Sequence, residues 1–478
     1  MKKKRIVLTV PCLLVVMLAT RSWALTATLV GDTVVDSGGL VLSGGSWGDT
    51  INGVAFQQDG VASHNGWQYV AYYNLDRHVC VGRRQLPGGV WERLELTDYY
   101  FGSNDAHNIV SLGICPNDGT LHLSFDHHGS ALHYRVSQTG VATNPGGVTW
   151  GAALFGAVRN YLEVGKSVSG VTYPRFWKTP SGDLQMCYRV GGSGDGDVML
   201  VDYEASSGTW KDTRMVISRE GDYSDVCGTG TSRNGYLNYP FYSTDGRLHW
   251  TWVWRESSQG TNHDICYAWS EDGGYTWYGN SPEQRLEVGV VSPGPEHLMG
   301  LSWSETGALR VADFATGQKI TVSSPDTVVV PISRYYALMN QQSQAVDPQG
   351  RVHTVMYYDT DGAGCDVWSG THYHHYWRDA GGVWQHRQLS VSLGSRPKLF
   401  IRGNGDAFLV YVRGGDVYVA GATAASQWTN WQVIGSVTAY SVAGEGLGDV
   451  YRIVDGDGIL SVLAQEGNNL RILDFQLN

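Results

Sequence analysis

The sequence predicts an all-β fold: a single-domain, seven-bladed β-propeller in which the first and last strands share one blade. Three observations predict it. Glycine, tyrosine and tryptophan are abundant, at 62, 27 and 18 of 478 residues, and the apolar periodicity contains no amphipathic helix longer than a few turns. A turn glycine followed by an alternating strand recurs at Gly66, Gly119, Gly182, Gly246, Gly307, Gly350, Gly405 and Gly458, at spacings of 53, 63, 64, 61, 43, 55 and 53 residues. A period of that size, built from hairpins, is that of four-stranded propeller blades. Residues 26–35 and 470–477 read as strands able to pair, which closes the ring and removes free sheet edges. Eight turns allow eight blades; the short 43-residue interval reads as an irregular blade and favours seven. A sandwich or a β-helix is the alternative architecture.

The first element is a targeting segment. Lys2-Lys3-Lys4-Arg5 is a positive n-region, residues 6–19 are apolar, and Ser22-Trp23-Ala24 offers small residues at the −3 and −1 positions. This predicts a secretory signal peptide over residues 1–24, a mature domain over residues 25–478, and an extracellular or periplasmic location. The apolar run is shorter than the ~20 residues that span a bilayer, which argues against a membrane anchor. Removing five basic residues with the signal leaves 29 positive against 45 negative side chains, a net charge of −16. So acidic a surface does not suit nucleic acid, and any anionic ligand needs a local basic pocket. Six cysteines remain after Cys12 leaves, too dispersed for a dense disulfide framework, and Cys115 and Cys187 read as buried thiols.

Two consecutive hairpins then bring reactive side chains to one end. In the first, residues 109–115 and 120–126 are strands about the turn Pro116-Asn117-Asp118-Gly119, so His107 lies nearly opposite His127 or His128. In the second, folding about Thr179-Pro180-Ser181-Gly182 brings Tyr173 close to Tyr188 and Arg189. A cluster of His, His, Tyr and Arg, with no nucleophile and no carboxylate pair, suits proton abstraction beside a substrate carboxylate. His122 and His249 alternate with apolar residues inside strands and read as core histidines. Further along, Ser270-Glu271-Asp272-Gly273-Gly274-Tyr275-Thr276-Trp277 is an Asp-box, a structural β-turn whose Asp caps the turn and whose Trp packs between sheets.

These residues resemble a known family, the β-propeller ulvan lyases of the Asp-box (BNR) repeat type, which cleave a sulfated algal polysaccharide of rhamnose-3-sulfate and uronic acid. The resemblance is carried by Asn104-Asp105-Ala106-His107-Asn108, by Leu121 to Gly129 with its Asp126-His127-His128, by Tyr173-Pro174-Arg175-Phe176, by Cys187-Tyr188-Arg189, and by Asn262 to Ala268 leading into the Asp-box. It is nearer polysaccharide lyase family 25, which uses a catalytic Tyr, than family 24. The resemblance implies β-elimination at a 4-linked uronate, giving unsaturated uronyl oligosaccharides. His107 and Tyr173 are then the acid–base pair, Arg189 neutralises the carboxylate, and His127 aids one of these tasks. Asn108, His128, Tyr188, Tyr236 and Tyr239 become candidate substrate-binding residues.

The expected partner is an anionic sulfated polysaccharide bound by a monomer with no membrane span. The chemistry requires no cofactor. A structural zinc is a separate expectation, at His249, His263 and Cys266 on one hairpin, with Cys365 and His374 or His375 as a second His/Cys group. Two other function classes fit parts of the sequence. A sialidase-like glycoside hydrolase would share the Asp-box but needs an arginine triad that is not evident, and a non-catalytic carbohydrate-binding propeller would keep only the aromatic platforms.

Overall fold

The computed structural model describes residues 24–257, 261–280, 308–360 and 370–478 apart from Gly456. The chain is all-β; its one α-helix among the described residues is Val450–Asp455. The strands form a succession of antiparallel sheets. Val61–His64, Trp67–Tyr73, Val79–Gln85 and Glu92–Leu96 make the first, in sequence order, and Val110–Ile114, Leu121–Phe125 and Tyr134–Val136 the second. Ser343–Val346 to Trp384–Gln388 and Lys398–Ile401 to Gln432–Val437 are two further four-stranded meanders. Between these lies a twelve-stranded sheet, in which the meander from Val171–Lys178 to Thr209–Ile217 joins the strands from Arg233–Leu237 onward through one parallel pairing, Gly196 with Asn234.

The two ends of the chain meet. Ala27–Asp36 pairs antiparallel with Asn469–Leu477, Ala27 opposite Leu477 and Asp36 opposite Leu470, and Ile459–Glu466 and Ala443–Gly448 complete that sheet. This is the expected pairing of residues 26–35 with 470–477, shifted by one residue at its start.

Apolar side chains pack between consecutive sheets. Val110, Leu112 and Leu123 meet Tyr69, Ala71 and Val81 of the first sheet, and Val171, Phe176 and Met186 meet Cys115 and Tyr134 of the second. The last such cluster joins Leu463, Leu470 and Ile472 of the terminal sheet to Val61, Val70 and Tyr72 of the first. At about 25 cal/mol per Å² of buried apolar surface, these contacts between sheets are the main source of stability. The Asp-box behaves as a turn: Asp272 Oδ1 accepts from the backbone N–H of Tyr275 at 3.0 Å and Thr276 at 2.8 Å. Its Trp277 is buried 4.5 Å from Trp250, ring centre to ring centre. Cys80, Cys115, Cys187 and Cys266 are buried free thiols, while Cys227 is disulfide-bonded. Most of the signal segment, Cys365 and the Gly307 turn lie outside the described residues.

Candidate active site

Three neighbouring strands set the positions of the reactive groups. His128–Ser130 pairs with Val171–Lys178 so that His128 faces Thr172, and Leu184–Gly192 pairs on the other side so that Arg189 faces Thr172 as well. The register slips between Thr172 and Arg175, and within that bulge Tyr173 has φ +55°. A bulky residue in the left-handed region is strained, and the bulge turns its side chain out of the regular alternation. Arg189 lies across Gly196. A Cβ at that glycine would stand 2.9 Å from both Cγ and Cδ of Arg189.

His107 is clamped on both faces. Its ring stacks on Phe56 at 4.3 Å and on His128 at 4.2 Å, and the guanidinium of Arg396 covers the far face of Phe56 at 4.6 Å. Trp47, 72% exposed, meets the His107 ring edge-on at 5.5 Å. Only the ring edges of the imidazole are left for chemistry, and Asp105 takes one of them: its Oδ1 is 2.6 Å from Nδ1 of His107 and accepts the His107 backbone N–H at 2.9 Å. Its Oδ2 is 2.7 Å from Nδ1 of His128. Burial works to raise the Asp105 pKa, but the hydrogen bonds from His107 and His128 outweigh it and hold the carboxyl well below its ordinary range. A charged carboxylate on Nδ1 fixes the Nδ1–H tautomer and leaves Nε2 as the free lone pair. Burial lowers the His107 pKa, Asp105 partly opposes this, and the neighbouring His128 adds to the lowering, so the imidazole is neutral at neutral pH.

Arg189 is 4% exposed and makes no ion pair among the described residues, and its Nε is buried without a hydrogen-bond partner. Several other buried arginines differ: Arg84 is paired with Asp474, Arg214 with Asp202 and Arg233 with Glu256, while Arg175, also without an ion pair among the described residues, donates instead to the Leu237 and Asn238 carbonyls. A buried guanidinium without a carboxylate is costly, and an anionic ligand relieves that cost. It lies 5.1 Å from the Tyr173 ring and 5.8 Å from the Tyr236 ring, and its Nη1 donates to the Tyr236 hydroxyl at 3.4 Å. The Tyr173 ring is 5.9 Å from that of His107. Burial, and then Tyr236, push the Tyr173 phenol well above its ordinary pKa, against the pull of Arg189 and Arg396. A neutral imidazole and a protonated phenol therefore stand side by side in this cluster.

Not every residue singled out in the sequence is in this cleft. His127 is turned into the protein: its Nε2 meets Ser124 Oγ at 3.0 Å, its Nδ1 meets Ser130 Oγ at 3.2 Å, and burial pushes its pKa down to about 3. Asp126, at φ +60°, breaks the strand alternation there, and His128 takes the place next to His107. Tyr188 points to the opposite face of its strand from Arg189, into the core with Val171 and Met186. Tyr239 donates to the Phe176 carbonyl at 2.6 Å and packs with Trp250 and Leu248, away from Tyr173. Asn108 is buried next to His107 in sequence, its amide donating to Asp126 at 2.5 Å. Sequence reading assigned no role to Asp105, Phe56, Trp47 or Arg396. Asp105 carried a local signal, an acidic residue two positions before the histidine.

The zinc expectation does not match the geometry at His249, His263 and Cys266. Both ring nitrogens of His249 are engaged, with Ser243 and Tyr267 each at 2.9 Å, and those of His263 are engaged with Asp264 at 3.0 Å and Glu256 at 3.1 Å. His249 pairs across the ladder with Trp269, three residues or about 10 Å along the strand from Cys266. Among the described residues, the potential ligand atoms of Asp105, His107 and His128 do lie within 4.8 Å of one another. The two imidazoles, however, are stacked at an interplanar angle of 15°. Nitrogen lone pairs lie in the ring planes, so they run side by side and do not converge on one ion. The arrangement suits two N–H donors on one carboxylate.

The family model described as a BNR repeat-containing family member matches residues 67–392. A curated "Ulvan lyase, long isoform" from Pseudoalteromonas sp. (strain PLSV) is 22% identical over 191 residues, 32% of this chain and 19% of that protein. One from Glaciecola sp. (strain KUL10) is 20% identical over 287 residues, 49% of this chain and 28% of that protein. The matches thus span less than a third of either relative. Among solved structures, polysaccharide lyase Uly1 superposes with a TM-score of 0.67 at 18% identity, covering 94% of this chain and 99% of that one. A PL25 ulvan lyase bound to -[GlcA(1-4)Rha3S]- gives 0.62 at 12% identity, covering 94% and 96%. These proteins share the fold of this chain.

Proposed function

The chain belongs to the BNR repeat-containing family, and from that membership and the cleft we propose that it is a polysaccharide lyase acting on ulvan by β-elimination at a 4-linked uronate. The observation that carries the reading is Arg189, a buried guanidinium without an ion pair among the described residues, beside Tyr173 and one ring away from the Asp105-anchored His107. A protein of the same fold bound to -[GlcA(1-4)Rha3S]- supports a substrate of alternating uronate and sulfated rhamnose.

The C5 proton of a uronate is weakly acidic while the adjacent carboxylate keeps its charge. Arg189, assisted by the Tyr236 hydroxyl, grips that carboxylate as a fork and stabilises the negative charge that develops on it. Nε2 of His107 takes the C5 proton, and Asp105 stabilises the resulting imidazolium. The C5–H electron pair becomes the C4–C5 double bond, the C4–O4 bond breaks, and the Tyr173 phenol protonates O4 as it leaves. Proton return from His107 to Tyr173 through solvent resets the site. A raised phenol pKa and a lowered imidazole pKa give each group its role at neutral pH. A hydrolase would need a second free carboxylate; Asp105 of this cluster is committed to two histidines.

In the same reading the successive sheets are the seven blades of a propeller. The pairing of Ala27–Asp36 with Asn469–Leu477 and the apolar cluster joining the terminal sheet to the first support a closed ring. Residues 1–24 act as a cleaved export signal, and the mature domain works outside the cytoplasm as a monomer.

The test is incubation with ulvan. Elimination gives new reducing ends together with the ultraviolet absorbance of a 4,5-unsaturated uronate; reducing ends without that absorbance would mean hydrolysis, and neither would leave a binding protein.

A further inference from the structure

Arg396 is a cation of the same cleft that the elimination does not use. It precedes strand Lys398–Ile401, more than 200 residues from Arg189 in sequence, and only the fold brings it onto Phe56. Its Nε donates to Glu445 Oε1 at 2.6 Å, and its Nη1 reaches Asn340 Oδ1 at 3.4 Å. Glu445 is itself pinned, its Oε2 accepting the Ala55 N–H at 2.5 Å one residue before Phe56. The guanidinium is thus held over the ring by its Nε edge, and its Nη2 has no partner among the described residues. The side chain is 12% exposed.

Arg189 and Arg396 flank the reacting pair. One lies against Tyr173 and the other against Phe56, whose rings are 5.8 Å apart. Arg396 is two stacking distances from the base, 4.6 Å to Phe56 and 4.3 Å on to His107. A substituent on the sugar next to the reacting uronate can span that gap. We propose that Arg396 binds the sulfate ester of that neighbouring sugar, so that two guanidiniums read two successive anions along the polymer; this rests on the lyase reading above. A sulfate ester stays anionic at any working pH, and its oxygens can accept from the unpartnered Nη2 of a guanidinium already oriented by Glu445. Pre-orientation lowers the ordering cost of binding, which gives the Glu445 pair a positioning role.

The test compares ulvan with chemically desulfated ulvan, using the parent protein and Arg396→Gln. On ulvan the variant should raise KM about tenfold, roughly the worth of one charge-assisted contact, with kcat within about threefold. On desulfated polymer the parent and the variant should have the same KM. Equal losses on both polymers would make Arg396 a structural latch, and no loss on either would remove it from the binding surface; both overturn the proposal. Calorimetric titration of the two polymers into His107→Ala, with and without Arg396→Gln, reads the same preference without turnover. If the parent eliminates no uronate polymer, the lyase reading fails by itself, and the titration still decides whether Arg396 selects sulfate.

Discussion

Asp105 divides one carboxylate between two histidines: Oδ1 is 2.6 Å from Nδ1 of His107 and Oδ2 is 2.7 Å from Nδ1 of His128. Those rings are stacked 4.2 Å apart, and the same carboxylate sets the tautomer of both. Asp105→Asn should therefore cut kcat on ulvan by on the order of 10²-fold, the scale of a positioned base, since an amide can hold the opposite tautomer. The pH profile gives a second check. Burial places the His107 pKa below the ordinary 6.5, and Asp105 opposes that shift. The parent's acid limb should lie below pH 6.5 and move lower still in the variant. An unchanged profile would show that His107 is not the titrating base.

His127 and His128 should separate cleanly. His127→Asn removes a buried ring held by Ser124 and Ser130, so it should lower Tm while leaving kcat within about threefold. His128→Ala removes one face of the clamp on His107 and should lower kcat at least tenfold with a smaller change in Tm. The reverse pattern in paired melting and turnover measurements would put His127 back in the cleft.

Much of the architecture was legible because it is local. Strand alternation about turn glycines located both hairpins, and Tyr173 lies beside Arg189 as folding about Gly182 implies, although the direct cross-strand partner of Arg189 is Thr172. The same alternation, applied strictly, sends Tyr188 to the face opposite Arg189. It fails where the backbone leaves the strand region: Asp126 at φ +60° and Tyr173 at φ +55° each redirect side chains, which is why His128 and not His127 reaches His107. Phe56 and Arg396 are joined by packing across distant parts of the chain, and no spacing rule connects them. The zinc expectation rested on residue types sharing one hairpin and on the family resemblance, and a hairpin does not fix how far apart along it the side chains lie. Those histidines have found hydrogen-bond partners in the core instead.

Arg189 should tolerate neither a point charge nor displacement. Arg189→Lys should cut turnover on ulvan by about 10²-fold because an ammonium cannot form the fork, and the loss should shrink on a methyl-esterified polymer that has no carboxylate to grip. Gly196→Ala should reproduce much of this loss with Arg189 intact, since the added methyl stands 2.9 Å from Cγ and Cδ of that side chain. If Gly196→Ala is fully active, the path of Arg189 across this glycine is not what fixes the carboxylate site.

The final prediction concerns the closure of the chain ends. Deleting residues 470–478 strips the hydrogen-bonded partner from Ala27–Asp36 and from Ile459–Glu466, and it uncovers Val61, Val70 and Leu463 in the joint between the terminal and first sheets. It also takes Asp474 from two buried cations, Arg84 at 2.7 Å and Arg452 at 2.9 Å; Arg452 keeps Asp457 at 2.9 Å, whereas Arg84 is left without an ion pair among the described residues. Asp474→Ala isolates that last effect. With Arg84 1% exposed and left without an ion pair, loss of this carboxylate should cost about 3–5 kcal/mol, read as a large fall in Tm, while kcat of the protein that remains folded is unchanged because none of these groups faces His107 or Arg189. The truncation should be worse, failing to give a cooperative transition. If it melts as the parent does, the end-to-end pairing does not hold the terminal and first sheets together, and the stability must come from the individual sheets.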